Sequence, residues 1–319
     1  MGNHFMPSST QNLSEEKITQ KPVRKTLYDL ACAEKNVPNE IQNLAGVFEK
    51  AKCIREDYDD YSLEEYISKY LFLDWRNRCL ANFTQFTLYD MKRDHDIFSL
   101  STYFPTDIQC YAYLEYLVNM MKLFEYGEHN SQKSIIYRAN KPLITGLNKN
   151  IDILLSQLNL VPVEKVSELY ILIDKDPSVT EAAEILQDNQ LISPLLEYNH
   201  VAIRDDVNEK RRILQLLASD AENKADYLEK KTGFADLGKD LNTLLNNLHL
   251  RHNNLVGNHA KPVTQKMSDD ERLHWYDVTY RCYLHAILAY EYNILLKKEI
   301  KYLKDQFGQK KSGEATSSN

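Results

Sequence analysis

Glycine and proline are so sparse in this chain, 9 of each in 319 residues, that long stretches run without a residue able to break a helix or set a tight turn. A β-sandwich or barrel needs turn signals at intervals of roughly 8–12 residues, so the sequence predicts an all-α fold. Three Ser-x-x-Glu sequences, Ser62-x-x-Glu65, Ser178-x-x-Glu181 and Ser268-x-x-Glu271, point the same way. In such a capping box the serine oxygen and the glutamate carboxylate satisfy amides that the first helical turn leaves unpaired. With 43% hydrophobic and 27% charged residues, the chain can bury a core without a covalent staple.

The pattern divides the chain into four parts. Residues 1–24 and 307–319 are polar and patternless and are expected to be disordered tails. Residues 25–162 are expected to form an N-terminal helical bundle. Its first helix is short, over residues 26–35, and its second, after Pro38, carries Ile41, Leu44, Val47, Phe48 and Ala51 on one stripe. A long helix from Ser62 towards Asp90 is apolar around much of its girth, with Trp75 in its packing. Helices over residues 106–126 and 130–158 follow. Near Val161-Pro162 the pattern resets, and Leu169 to Ile173 is the one run where a strand competes with helix.

Residues 163–306 are expected to form a second helical domain. Its helices should cover 178–187, opened by the second Ser-x-x-Glu box, 205–231, and 237–255, the last ending at Gly257. The final helix, opened by Ser268, keeps Leu273, Tyr276, Tyr280, Leu284 and Ile287 on one stripe and crowds Lys297, Lys298, Lys301 and Lys304 at the end where the helix dipole favours cations.

Several function classes are excluded at this level. Five cysteines, widely scattered and never in a C-x-x-C arrangement, indicate neither a disulfide framework nor a zinc knuckle, and fit a reducing cytoplasm. The first 22 residues hold no apolar secretory core, and no run approaches the ~18 apolar residues of a membrane span. A net charge of −7 argues against a broad basic face, so any RNA site must be a local positive pocket. No G-x-x-x-x-G-K, G-x-G-x-x-G or H-E-x-x-H sequence occurs, and neither cofactor nor metal is expected. Arg93-Asp-His95-Asp reads as a solvated loop rather than a metal site, and Arg281 with His285 as a polar helix edge. Most of the 21 tyrosines recur at helical spacing, which suits core packing better than base stacking.

One segment concentrates chemistry. Residues 248–262, LHLRHNNLVGNHAKP, bring Arg251, His252, Asn253, Asn254, Asn258, His259 and Lys261 to one helix end. Metal-free RNA cleavage requires a base for the 2′-hydroxyl, charge stabilisation at phosphorus and an acid for the leaving 5′-oxygen. A guanidinium can hold two phosphate oxygens at once, and an imidazole gives or takes a proton near neutrality. The same residues are also an ordinary helix stop, since cations favour the dipole and Asn or Gly accepts the left-handed conformation.

A helix that ends in arginine, polar residues and histidine, followed by a long capped helix rich in aromatics and leucines, resembles the HEPN superfamily, and its abortive-infection branch in particular. The resemblance runs from about Ser178 to Lys304 and includes the stretch from Arg204 to Ala218, which is similar to the helix that precedes the motif helix. It implies an up-and-down helical bundle and an Arg-x(4–6)-His motif with Asn near the Arg, giving Arg251 and His259 the catalytic roles, with Asn253 and His252 orienting them. Seven residues separate Arg251 from His259 here, and His252 stands where the family has asparagine. The family further implies an endoribonuclease acting on RNA without a cofactor, as a homodimer, in toxin or antiphage systems, with an antitoxin or trigger protein as a further partner. The alternative is a non-catalytic helical adaptor or antitoxin-like protein-binding module.

Overall fold

The computed structural model describes residues 36–56, 58–79, 87–94, 97, 106–130, 137–166, 168–251 and 266–313. They form an all-α fold carrying two small antiparallel sheets. Helix starts follow local side-chain chemistry. Ser62 and Ser268 each close a complete capping box with Glu65 and Glu271, opening α2 (Leu63–Tyr70) and, at the far end of the chain, a helix from Asp269. Expected helix 26–35 lies outside the described residues. The stripe after Pro38 forms α1 (Val37–Lys50), with Ile41, Leu44, Ala45 and Phe48 buried.

The single helix expected from Ser62 to Asp90 is broken. After α2 the chain turns at Leu71 into α3 (Phe72–Cys79), and α4 (Leu88–Asp94) stands apart. At 3.6 residues per turn, Leu63, Tyr66 and Ile67 fall nearly opposite Phe72 and Trp75 on a straight helix. All five are buried on the same core, which only a bend allows. Between α1 and α2, β1 (Ile54–Glu56) pairs with β2 (Asp59–Tyr61).

Helix α5 (Asp107–Asn130) is followed by β3 (Tyr137–Ala139), which pairs with the other edge of β1, and by α6 (Lys141–Gln157). The expected uninterrupted helix over 130–158 is therefore replaced by a strand and a later start at Asn140. The Asn140 amide oxygen accepts from the Leu143 N–H, and Pro142 fits the first turn, where no amide bond is lost.

The run flagged as strand-like is indeed one. Strands β4 (Leu160–Val166) and β5 (Leu169–Asp174) form a hairpin, and α5 seals its open edge. Asn119 accepts from the Tyr170 N–H at 2.8 Å and donates to the Tyr170 carbonyl at 2.8 Å, while Glu115 accepts from the Leu172 N–H at 2.7 Å. A free strand edge, open to unwanted pairing, is thereby occupied.

Helix α7 (Pro177–Leu186) opens at Asp176, not Ser178. Pro177 has no N–H and a fixed φ suited to the first helical position, so the cap moves back to Asp176, and Ser178 becomes its donor through both N–H (2.9 Å) and hydroxyl (2.6 Å). Then come α8 (Asn189–Glu197), a single 3₁₀ turn (Val201–Ile203), α9 (Val207–Leu228) capped by Asp206, and α10 (Ala235–Asn247). The chain finishes with α11 (Asp269–Glu291), a π-helical turn (Tyr292–Leu296) and α12 (Lys297–Gly313).

Buried apolar side chains gather in two clusters. One joins α1 to α6 with Leu160, Leu172 and Val201; the other joins α7 to α11. In the second, α9, α10 and α11 touch one another. Lys210 meets Asp277, and Lys224 lies over Tyr290, so α9 and α11 run parallel. Gly238 meets Glu229, whereas Arg251 just beyond α10 meets Glu222, so α10 runs antiparallel to them. Consecutive long helices thus alternate up and down.

Candidate functional site

The segment singled out in the sequence begins at the end of α10, eight residues earlier than the expected stop near Leu255. Helix α10 ends at Asn247, Leu248 caps it, and His249 takes a left-handed backbone at φ 54°. The Leu250 N–H then bonds the Leu245 carbonyl at 3.0 Å. This is the bond of a Schellman stop, and it comes with apolar contact across the turn: Leu245, Leu248 and Leu250 are all buried in the second cluster. The sequence offered Gly257 as the stop; the leucines, by all seeking the core, close the helix earlier and place a histidine where glycine is usual.

Arg251 follows this closed end. Its side chain is only 16% exposed and runs back along α10. Nη1 donates to Asn246 Oδ1 at 3.1 Å and Nη2 to Asn242 Oδ1 at 3.1 Å, and Nη2 also pairs with the Glu222 carboxylate of α9. Asn242 in turn donates to Asp226 at 3.0 Å and Glu229 at 2.7 Å. The guanidinium is therefore fixed from several sides, by Glu222 directly and by an Asn242 amide that Asp226 and Glu229 hold in turn. Its Nε–H is buried and has no hydrogen-bond partner among the described residues. Arg211, about three turns before Glu222 on the same face of α9, likewise has Nε and Nη2 buried without a partner among the described residues. Donors left without acceptors inside a protein ask for an explanation.

Of the other residues proposed for catalysis, His252, Asn253 and His259 lie outside the described residues. Glu222, Asn242 and Asn246 were not anticipated. The spacing of Asn242 and Asn246 does place both on one face of the helix leading to Arg251, whereas Glu222 depends on how α9 and α10 pair.

Three other polar clusters are built alike, each from a lysine, carboxylate and tyrosine. Lys92 donates to Glu49 at 3.0 Å and Glu64 at 2.5 Å, which accept from Tyr113 at 2.6 Å and Tyr116 at 2.8 Å. Lys210, buried, donates to Asp277 at 2.7 Å beside Tyr198. Lys224, also buried, donates to Asp220 at 2.7 Å and 2.6 Å, and Tyr283 donates to the same carboxylate. Burial first, then the adjacent carboxylates, holds the Tyr113, Tyr116, Tyr198 and Tyr283 phenols well above their ordinary pKa. They stay protonated as donors and offer no base near neutrality. A cavity of about 400 Å³ beside the Lys92 cluster is walled by Glu49, Glu64, Leu88, Lys92, Arg93 and Ile97.

Among the described residues no group of three His, Cys, Asp or Glu side chains is placed to hold a metal, and no helix is long and apolar enough to cross a membrane. Arg93 pairs with Asp90 and Asp94, whereas His95 and Asp96 lie outside the described residues. Arg281 and His285 are exposed on α11. The chain matches no family model, no curated protein and no solved structure.

Proposed function

We propose that this chain is a metal-independent endoribonuclease of the HEPN type, acting in the cytoplasm as a toxin or abortive-infection effector. The observation that supports this reading is that Arg251, beyond the end of α10, and Arg211, on α9, each keep buried N–H groups with no acceptor among the described residues. Phosphate oxygens are acceptors of the kind such donors bind most strongly, because the hydrogen bonds are charge-assisted. Arg251 is already positioned by Asn242, Asn246 and Glu222, so little side-chain freedom remains to be lost when RNA binds.

In this mechanism Arg251 grips the scissile phosphate. The His259 imidazole takes the proton of the 2′-hydroxyl, and the 2′-oxygen bonds to phosphorus as the P–O5′ bond breaks. The imidazole then returns that proton to the departing 5′-oxygen, and Asn253 and His252 orient the groups. The products are a 2′,3′-cyclic phosphate and a 5′-hydroxyl. Glu222 competes with RNA for Arg251, so RNA binding must displace or share that carboxylate. As in the resembling family, a homodimer would bring two such segments to one cleft, and residues 25–162 would answer a trigger or an antitoxin.

A second reading, a non-catalytic helical adaptor, is favoured by the Glu222 pair itself, since Arg251 then ties α9 to the end of α10 through Glu222, Asn242 and Asn246. Incubating the purified chain with total RNA in a metal chelator separates the two. The nuclease reading expects fragments with cyclic-phosphate ends that disappear in His259→Ala; intact RNA, or fragments unchanged in that variant, overturns it.

A further inference from the structure

Helix α12 continues α11 through the π turn, and its substantial contacts are with that turn. Together with Leu296, the last residue of that turn, it carries apolar side chains that the rest of the described structure leaves uncovered: Leu296 is 44% exposed, Ile300 43%, Leu303 55% and Phe307 65%, with Leu295 and Tyr302 exposed beside them. Their steps of four, three and four residues are the spacing of a coiled-coil seam, with Leu296 and Leu303 at d and Ile300 and Phe307 at a.

We propose that α12 is a self-association helix that pairs in parallel with α12 of a second copy of this chain. The charges that flank the seam choose both the partner and its direction. In this register Glu299 is at g, and Lys297 and Lys304 are at e. Parallel helices set g of one chain against e of the next heptad on the other, so Glu299 faces Lys304 twice by symmetry. Antiparallel pairing would instead set lysine against lysine and glutamate against glutamate. Isoleucine at a with leucine at d is the combination that favours two strands in parallel. Two heptads are short for an isolated coil, but α12 grows from the end of a helix already fixed in the second core, so its nucleation cost is already met. The inference deepens the homodimer of the nuclease reading by naming α12 as a contact, and the response to Leu303→Glu tests that contact without reference to cleavage.

Sedimentation velocity of the full chain tests it. The wild type is expected to dimerise with concentration, Leu303→Glu to weaken self-association at least about tenfold, and Glu299→Lys to weaken it as well. The double variant Glu299→Lys with Lys304→Glu is expected to recover the dimer, because it restores the cross-chain pairs. All these positions are exposed, and circular dichroism checks that the fold is kept. A monomeric wild type, or a dimer indifferent to Leu303→Glu, overturns the proposal; a double variant no better than Glu299→Lys overturns the parallel register. Co-sedimentation of a monomeric wild type with phosphatidylserine vesicles, lost in Leu303→Glu, would assign the seam to lipid instead.

Discussion

Replacing Arg251 separates a catalytic arginine from a merely structural one, because the two roles predict different ratios of lost activity to lost stability. In Arg251→Ala the chain gives up two hydrogen bonds from a charged donor to Asn242 and Asn246, each worth about 1 kcal/mol net. It also gives up an ion pair with Glu222, whose side chain is 40% exposed, so solvent screening leaves that contact at about 0.5 kcal/mol. Water can reach Glu222 afterwards, which offsets part of the loss. The net cost is about 1–2 kcal/mol, or a melting temperature lower by roughly 3–6 °C for domains of this size. Cleavage, if Arg251 holds the phosphate, should fall about 100-fold or more. Arg251→Lys is the control: it keeps a charge for Glu222 and should recover most of the stability, but it lacks the planar fork and should not recover cleavage. Thermal melts and cleavage rates in chelator, measured on the same preparations, give both numbers. An Ala variant that cleaves within about threefold of wild type, or a Lys variant whose activity returns together with its stability, would refute the reasoning.

Two further outcomes follow from local geometry. A Cβ at Gly238 would stand 2.5 Å from the Ala225 carbonyl oxygen and 2.6 Å from the Glu229 nitrogen, both backbone atoms. Gly238→Ala should therefore force α9 and α10 apart and cost about 1–3 kcal/mol in urea denaturation, despite alanine's better helix propensity; an unchanged or higher midpoint would show that the crossing is looser than described. Hydrogen bonds from Lys52 and Arg212 hold Glu65 and Glu209 below the ordinary carboxylate value of 4.5. With a folded pKa below the unfolded one, their contribution is present above pH 4.5 and is lost as pH falls below it. Stability measured from pH 7 to pH 3 should drop in that acid range, and less steeply in the variant carrying Glu65→Gln and Glu209→Gln; identical slopes would remove these two carboxylates from the account.

What the sequence revealed, and what it hid, depends on whether the cause was local. Ser62 with Glu65, and Ser268 with Glu271, open helices where they were expected to, because a capping box is complete within four residues. The strand at β5 was visible in its own apolar run. Ser178 failed as a cap because Pro177 beside it shifted the start to Asp176. The bend at Leu71 was hidden because it answers a demand of the core, that Tyr66 and Trp75 be buried together. At the candidate site, Arg251 could be named from residue chemistry. Its partner Glu222 could not, since nothing in either segment states which helix lies alongside, and His249 carries no mark of a left-handed backbone.

The three lysine clusters bear on how this fold is selected from its rivals. Faces rich in leucine and tyrosine tolerate sliding, since one apolar contact replaces another at little cost. If α9 slid by one residue against α11, however, the ammonium groups of Lys210 and Lys224, which now meet Asp277 and Asp220, would be turned towards hydrocarbon. An unpaired buried charge costs several kcal/mol, a large share of the margin by which a native state outlasts its unfolded chain. The lysines thus act as alignment pins, adding little to cohesion while disqualifying the misaligned packings that the apolar residues alone would accept.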